Sequence, residues 1–146
     1  MKSAIVIPAF NEATRIGATL DSLAWQYGGG EDDVIVVVDN ASTDETQGVA
    51  RAYEPRLRER FDLHVIEETE PGTGAACDTG FRYAIEELGA GVISRVDADT
   101  TAVHGWHNAA LQHYAQHPDA KLVTGPVHAP VGMERRHLLK NLCCLG

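Results

Sequence analysis

The sequence is poor in cysteine and has no long apolar run. Its three cysteines, Cys77, Cys143 and Cys144, are too few for a secreted disulfide framework, and two neighbours in sequence are poorly placed to bridge each other. No stretch approaches the roughly 20 apolar residues of a membrane span. The apolar part of the N-terminus is too short for a signal peptide, and Pro8 interrupts it. We therefore expect a reducing, cytoplasmic setting.

Basic residues are also scarce. The chain has 12 Lys and Arg against 21 Asp and Glu, and its formal charge is −9. A broad nucleic-acid interface requires a basic face, so we expect no nucleic-acid partner. An anionic small ligand is not excluded, because backbone amides and a metal ion can supply positive potential locally. The length of 146 residues suits one domain, residues 1–146.

Five short apolar runs alternate with helical patterns. Their near-continuous Val and Ile content is typical of parallel strands that are covered on both faces. The runs lie at residues 4–7, 34–38, 63–66, 92–96 and 121–124. The alternation predicts an α/β fold in which a mostly parallel sheet carries helices on both faces. Ligands of such sheets bind outside the carboxyl ends of the strands.

Four helical patterns separate the runs. The first has Asn11 as its predicted N-cap, and the second opens with a capping-box pattern at residues 42–45. The third ends at Gly89, and the fourth runs from about residue 103 to residue 117. In the fourth pattern Trp106 is expected to pack against the sheet. His107 has no third ligand partner at metal-binding spacing, so it is expected to be an ordinary surface histidine.

Two carboxylates, Asp97 and Asp99, follow the fourth apolar run. Alternate side chains of an extended segment point the same way, so the two can converge on one site. Nearby carboxylates that stay ionised usually need a cation between them, and hard oxygen ligands suit Mg²⁺ or Mn²⁺. Such triplets also occur in turns and helix caps. Arg95, a charge inside a buried strand, is expected to pair with Asp97 or to contact a ligand.

Three further segments fall at the same edge of the predicted sheet, after the first, second and third strands. Together with the aspartate pair they resemble glycosyltransferase family 2. The matching stretches read IVIPAFNE at residues 5–12, VDNASTD at 38–44, GTGAA at 72–76 and DAD at 97–99. Each motif is weak alone, but four in register are fairly specific. The resemblance implies a single GT-A (Rossmann-like) domain and an inverting transfer of a sugar from a nucleotide-diphosphate sugar.

The resemblance also implies roles for individual residues. Asp99 would bind Mg²⁺ or Mn²⁺ directly, and Asp97 would contact the ribose or a metal-bound water. Asp39 would accept the imide N–H of uracil, which favours a UDP-sugar, although it could instead accept the N–H groups of the turn that follows. Pro8 and Ala9 would set a turn that lets the backbone approach the nucleotide.

Three other candidates for donor binding stay open between two interpretations. Glu12 could hydrogen-bond to the nucleotide, but an acid in a first helical turn also suits the helix dipole. Gly72 and Gly74 precede a helix, where free amides could face phosphate, or they could simply make a turn. Family members often have a basic residue before this loop, where this chain has Glu70, and that departure weakens a pyrophosphate assignment.

The catalytic residue is unknown from the sequence. An inverting transfer needs a general base, which in this family lies well beyond the aspartate pair, and few residues follow Asp99 here. Glu134 is a weak candidate. We therefore expect a donor-binding part truncated before the acceptor half, or alternatively a noncatalytic nucleotide-sugar binding module or partner subunit. The acceptor could be a glycan, a lipid or a small molecule. Residues beyond this sequence could associate with the cytoplasmic face of a membrane.

Overall fold

Four strands form one parallel sheet in the computed structural model, which describes residues 2–26 and 32–122. The strands are β1 (Ser3–Ala9), β2 (Val34–Asp39), β3 (Asp62–Glu67) and β4 (Val92–Arg95), in the spatial order β3-β2-β1-β4. All residues of the central strands β1 and β2 are buried, which explains their unbroken apolar sequences. The predicted α/β fold is confirmed, and every strand pair of the described part is parallel.

Helices cover both faces of this sheet. They are α1 (Ile16–Ala24), α2 (Thr46–Ala52), α3 (Glu54–Leu57), α4 (Thr73–Arg82), which continues into a π-helical turn (Tyr83–Glu87), and α5 (Trp106–Gln116). One core cluster joins the sheet to α1, α2 and α3, and Trp106 of α5 packs against it as predicted. The second cluster joins the other face to α4 and the π-helical turn. No helix in residues 2–26 or 32–122 is long and apolar enough to cross a membrane.

Both predicted helix caps are wrong. Helix α1 begins at Ile16 rather than beside Asn11, and no side chain caps its first turn. Helix α2 begins at Thr46, after the predicted capping box, and its N-cap side chain makes no capping hydrogen bond. The polar side chains of these segments bond across to each other: Ser42 accepts the N–H of Asn11, and Asn11 accepts the N–H of Thr43. Tertiary partners have thus replaced the predicted caps, while at the start of α2 Asp44 Oδ1 accepts the N–H of Thr46 at 3.0 Å.

The other boundaries follow the sequence more closely. Gly89 has a φ of +69°, a conformation that suits glycine, and ends the helical segment as predicted. Helix α5 begins at Trp106, about one turn after the predicted start, because Gly105 at φ +81° precedes it. In the predicted strand at 121–124, Lys121 and Leu122 are not in a strand, and the rest lies outside the described residues.

Candidate functional site

A pocket of about 290 Å³ opens at the carboxyl ends of the strands. The loop after β1 contributes residues 8–10 and Glu12, the end of β4 contributes Arg95 and residues 97–99, and Asn40 follows β2. Thr73 and Ala76 of α4 complete the lining. Of the residues that the sequence singled out, the fold therefore brings together Pro8, Ala9, Glu12, Asp97 and Asp99.

Each carboxylate of the aspartate pair lies near an arginine. Arg95 donates from Nε and Nη2 to Asp97 Oδ1, at 3.0 and 2.8 Å, so the predicted ion pair is confirmed. The Asp97 and Arg95 side chains are each about a quarter exposed. Arg15 Nη1 lies 3.7 Å from Asp99 Oδ2, and the Asp99 side chain is 42% exposed. Arg95 thus holds the Asp97 carboxylate in one orientation, whereas the Asp99 carboxylate is more exposed.

Glu12 belongs to the same charged group. Its Oε2 lies 2.7 Å from Arg15 Nε, so one guanidinium serves both Glu12 and Asp99. Burial raises the pKa of Glu12, an effect that Arg15 opposes and the nearby charge of Asp99 reinforces. Glu12 is therefore more than a first-turn acid on a helix dipole, because it lines the pocket beside the aspartate pair.

These oxygens suit one kind of metal site. Within residues 2–26 and 32–122, no group of three or more His, Cys, Asp or Glu side chains could hold a metal ion by itself. Mg²⁺ commonly binds through one or two carboxylates together with waters and substrate phosphates, so a complete protein cage is not required. Asp97 and Asp99 fit that donor set, with the remaining positions left for a phosphate-bearing ligand.

Asp39 ends β2, but its carboxylate is not exposed there. It is 1% exposed, while its register partner Ala9 and the following residue Asn40 both line the pocket. Its Oδ2 accepts the N–H of Ser42 at 3.2 Å and Nε2 of Gln47 at 3.1 Å. Its buried Oδ1 has no hydrogen-bond partner in the described part of the chain. Oδ2 therefore serves the turn, whereas Oδ1 is an enclosed acceptor without a donor in the described part of the chain, and Asp39 itself does not line the pocket.

Asn40 follows β2 directly, and its side chain joins two loops. Its Nδ2 donates to the carbonyl oxygens of Glu68 and Glu70 at 3.0 and 2.6 Å. Its Oδ1 accepts the N–H of Gly72 at 2.8 Å. These contacts hold the segment that leads into α4 against the end of β2. An Asn beside a strand-end Asp was the only signal in the sequence, and it does not identify partners about 30 residues away.

The two glycines of the third segment differ in what they require. Gly72 has a φ of +124°, which L side chains rarely adopt, so a glycine is needed there for the turn. Gly74 lies within α4 with ordinary helical geometry, and a Cβ at either position would meet nothing within 4 Å. Both flank Thr73, which lines the pocket. Open space beside this backbone is compatible with a ligand approaching it, but the N–H of Gly72 is already bonded to Asn40 Oδ1.

Hydrogen bonds between the first two loops hold the pocket's rim. The N–H of Glu12 donates to Thr46 Oγ1 at 2.9 Å, and the N–H of Thr43 donates to Asn11 Oδ1 at 2.8 Å. Asn11 and Ala41 both have positive φ, +52° and +55°. Asn tolerates that conformation, but in Ala it costs roughly 1–2 kcal/mol. The loops that form the rim are therefore strained at Ala41.

Phe10 is a site residue that the sequence did not single out. Its ring is 58% exposed although it follows a fully buried strand, and it lines the pocket. A large exposed aromatic ring beside a pocket offers a flat apolar surface on which a planar ligand can stack. The pocket thus combines an apolar face with the carboxylates of Asp97 and Asp99.

His107 is not a surface histidine. It is completely buried, and its Nε2 lies 3.0 Å from Ser3 Oγ and 3.3 Å from Asp33 Oδ2. Burial lowers the pKa of His107, although Asp33 opposes the shift. Ser3 begins β1 and Asp33 precedes β2, so this cluster holds α5 against the amino-terminal ends of the central strands, whereas the pocket lies at their carboxyl ends. It was missed because its partners are 74 and 104 residues away in sequence.

Part of this sequence is similar to glycosyltransferases of other organisms. A validoxylamine A glucosyltransferase of Streptomyces hygroscopicus subsp. jinggangensis (strain 5008) is 33% identical over 127 residues, which cover 83% of this chain and 27% of that protein. A PGL/p-HBAD biosynthesis glycosyltransferase of Mycobacterium bovis (strain BCG / Pasteur 1173P2) is 40% identical over 80 residues, which cover 55% of this chain and 30% of that protein. The chain thus matches less than a third of the length of either relative.

Solved structures share the fold. The S. aureus TarS 1-349 structure in complex with UDP has a TM-score of 0.68 at 23% identity, covering 81% of this chain and 33% of that one. The mannosyltransferase PcManGT from Pyrobaculum calidifontis, in complex with GDP-Man and Mn²⁺, has a TM-score of 0.57 at 33% identity, covering 66% and 27%. The fold is GT-A. Residues 4–142 match the model of the family described as glycosyl transferase family 2, and the chain belongs to that family.

Proposed function

We propose that this chain binds the donor of an inverting glycosyl transfer, a nucleotide-diphosphate sugar and preferably a UDP-sugar. The observation that carries the proposal is the meeting of Asp97 and Asp99 with residues 8–12 and Asn40 in one pocket at the carboxyl edge of the sheet. Support also comes from the UDP and GDP-Man in the structures of TarS and PcManGT. The acceptor, whether glycan, lipid or small molecule, stays open.

The base and ribose would lie at the ends of β1 and β2. Phe10 offers an exposed ring for stacking, and the turn at Pro8 and Ala9 brings backbone to the pocket wall. Asp39 Oδ1, a buried acceptor with no partner in the described part, suits the single imide N–H of uracil. Asp97, held by Arg95, would face the ribose.

The diphosphate would lie beside the aspartate pair. Asp99 and Asp97 would hold Mg²⁺ or Mn²⁺, which as a Lewis acid offsets the charge that develops on the leaving diphosphate. PcManGT contains Mn²⁺ with its GDP-Man, which supports this assignment. Arg15 is 57% exposed and pairs with both Glu12 and Asp99, so it can move away from Asp99 and keep Glu12 as a partner.

Inversion requires a carboxylate or another base that deprotonates the acceptor hydroxyl as it attacks the anomeric carbon. We assign no residue to this role. Glu134, the weak candidate from the sequence, lies outside the described residues. We propose that the base and the acceptor site belong to a further part of a longer enzyme, since the chain spans only about a quarter to a third of its relatives.

Calorimetric titration with UDP, with and without Mn²⁺, tests the proposal. We expect Mn²⁺-dependent binding that Asp99→Asn weakens about tenfold or more, as the loss of a charged group at a metal site does. Asp119→Asn is the matched control, because Asp119 is exposed and does not line the pocket. Binding of neither UDP nor GDP under either condition would overturn the proposal. Binding without hydrolysis or transfer would favour the noncatalytic module.

A further inference from the structure

Gln47 joins the carboxylates of two neighbouring strands. Its Nε2 lies 3.1 Å from Asp39 Oδ2 and 2.5 Å from Glu67 Oε1. Asp39 and Glu67 are register partners at the carboxyl ends of β2 and β3. A neutral amide therefore stands between two like charges, and it donates to both of them without neutralising either.

The consequence for Asp39 is a fixed carboxylate with one free acceptor. Two groups donate to Oδ2, the N–H of Ser42 in the turn after β2 and Nε2 of Gln47 in α2. Oδ1 is enclosed, and within residues 2–26 and 32–122 it has no hydrogen-bond partner. A buried acceptor without a donor costs free energy, and a ligand N–H that reaches it recovers that cost.

We propose that Gln47 is a positioning residue that sets the nucleobase selectivity of the site. It holds Oδ2 so that Oδ1 is presented to one N–H of the base, and a uracil imide supplies that donor between two carbonyl groups. Because Gln47 carries no charge, it orients the Asp39 side chain without placing a cation beside it. The inference rests on the proposed donor-binding function and adds to it the residue that orients the base acceptor.

The test compares the affinities of the full chain for UDP and for 3-methyl-UDP, in which a methyl group replaces the imide hydrogen. We expect the wild type to prefer UDP by about 10- to 100-fold, the range for a hydrogen bond to a charged group. Gln47→Met keeps the side-chain length but removes the donor, and we expect it to lower that preference about 3- to 10-fold. Gln47→Glu adds a third carboxylate and should lower it further.

Two comparisons separate positioning from a general loss of structure. Gln112→Met changes an exposed residue of α5 away from the pocket, and it should leave the preference unchanged. Asp39→Ala should abolish the preference, and adding Gln47→Met to it should change nothing more if Gln47 acts through Asp39. Thermal unfolding of each variant shows whether it is folded.

The outcomes distinguish this inference from the function on which it rests. An unchanged preference in folded Gln47→Met and Gln47→Glu variants, with the preference lost in Asp39→Ala, overturns the role of Gln47 and leaves the donor site standing. An additive effect of Gln47→Met on Asp39→Ala overturns it as well. Failure of the wild type to bind UDP overturns the UDP-sugar assignment and the inference together.

Discussion

Gly80 lies where α4 presses against the sheet, and replacing it with alanine tests how tightly that helix is seated. An added Cβ would lie 2.5 Å from Val6 Cγ1 and 2.8 Å from Val38 Cγ2. Ordinary carbon–carbon contacts are about 3.5–4.0 Å, so the shortfall is about 1 Å. Both valines are completely buried in central strands and, being β-branched, have little rotamer freedom. The helix must therefore move away from the sheet.

The magnitude follows from a comparison within the same helix. Overpacking of a well-packed core costs typically 1–3 kcal/mol, whereas Gly→Ala in a helix gains up to about 1 kcal/mol from propensity. Gly74→Ala receives that gain in open space and has no clash. The difference in the free energy of unfolding between Gly74→Ala and Gly80→Ala therefore isolates the clash, and we expect it to be about 1–3 kcal/mol.

Urea denaturation followed by circular dichroism measures both variants against the wild type. Because Thr73 at the start of α4 lines the pocket, we also expect Gly80→Ala to weaken nucleotide binding. Equal stability of Gly80→Ala and Gly74→Ala would refute the reasoning, since it would mean that α4 can shift on the sheet without cost. A stable Gly80→Ala variant with unchanged binding would refute the link to the pocket too.

Three further predictions concern the loops and the buried histidine. Ala41→Gly should raise the free energy of unfolding by up to about 1 kcal/mol because φ at Ala41 is +55°, and a loss in urea denaturation would contradict this. Asn40→Ala should lower it by about 2 kcal/mol and weaken UDP binding in calorimetry, because three hydrogen bonds to the loop before α4 are lost; unchanged values would contradict this. The pKa of His107 is lowered in the folded protein, so its neutral form stabilises the fold. Its contribution to the free energy of unfolding is complete above its ordinary pKa of about 6.5 and is lost as the pH falls below that value, by at most about 1.4 kcal/mol per pH unit. His107→Gln should flatten that part of the pH profile of stability, and parallel profiles would contradict the assignment.

The fold was largely predictable because its central strands are buried on both faces. Such strands carry apolar residues at every position, and the runs at 4–7 and 34–38 stand out from the helical patterns around them. The helix starts were not predictable in the same way. Asn11 and Ser42 are good capping residues by type, but they bond to each other across 31 positions, which local rules cannot detect.

The residues of the candidate site also differ in how well the sequence predicts them. Asp97, Asp99 and the ion pair of Arg95 with Asp97 could be predicted because these residues lie close together in sequence, at the end of β4 and in the segment that follows it. Strand alternation is not what relates the two aspartates, since β4 ends at Arg95 and Asp99 lies in a turn. Asn40 and Gln47 bond to residues 8 to 32 positions away, and nothing in their immediate sequence identifies those partners. Sequence reasoning therefore located the carboxylates of the candidate site. It missed the side-chain amides of Asn40 and Gln47, which hold a loop and the Asp39 carboxylate in place.

The charge of the pocket itself argues for metal-dependent binding. Glu12, Asp97 and Asp99 present three carboxylates there, and Arg15 and Arg95 are both already paired with them. A diphosphate brings further negative charge into a site that has no positive excess, in a protein whose formal charge is −9. Binding without a cation would have to break an arginine–carboxylate pair and leave a carboxylate beside the phosphates. Under the proposed function a divalent ion at Asp99 would remove that repulsion, so the affinity for UDP should rise with the Mn²⁺ concentration.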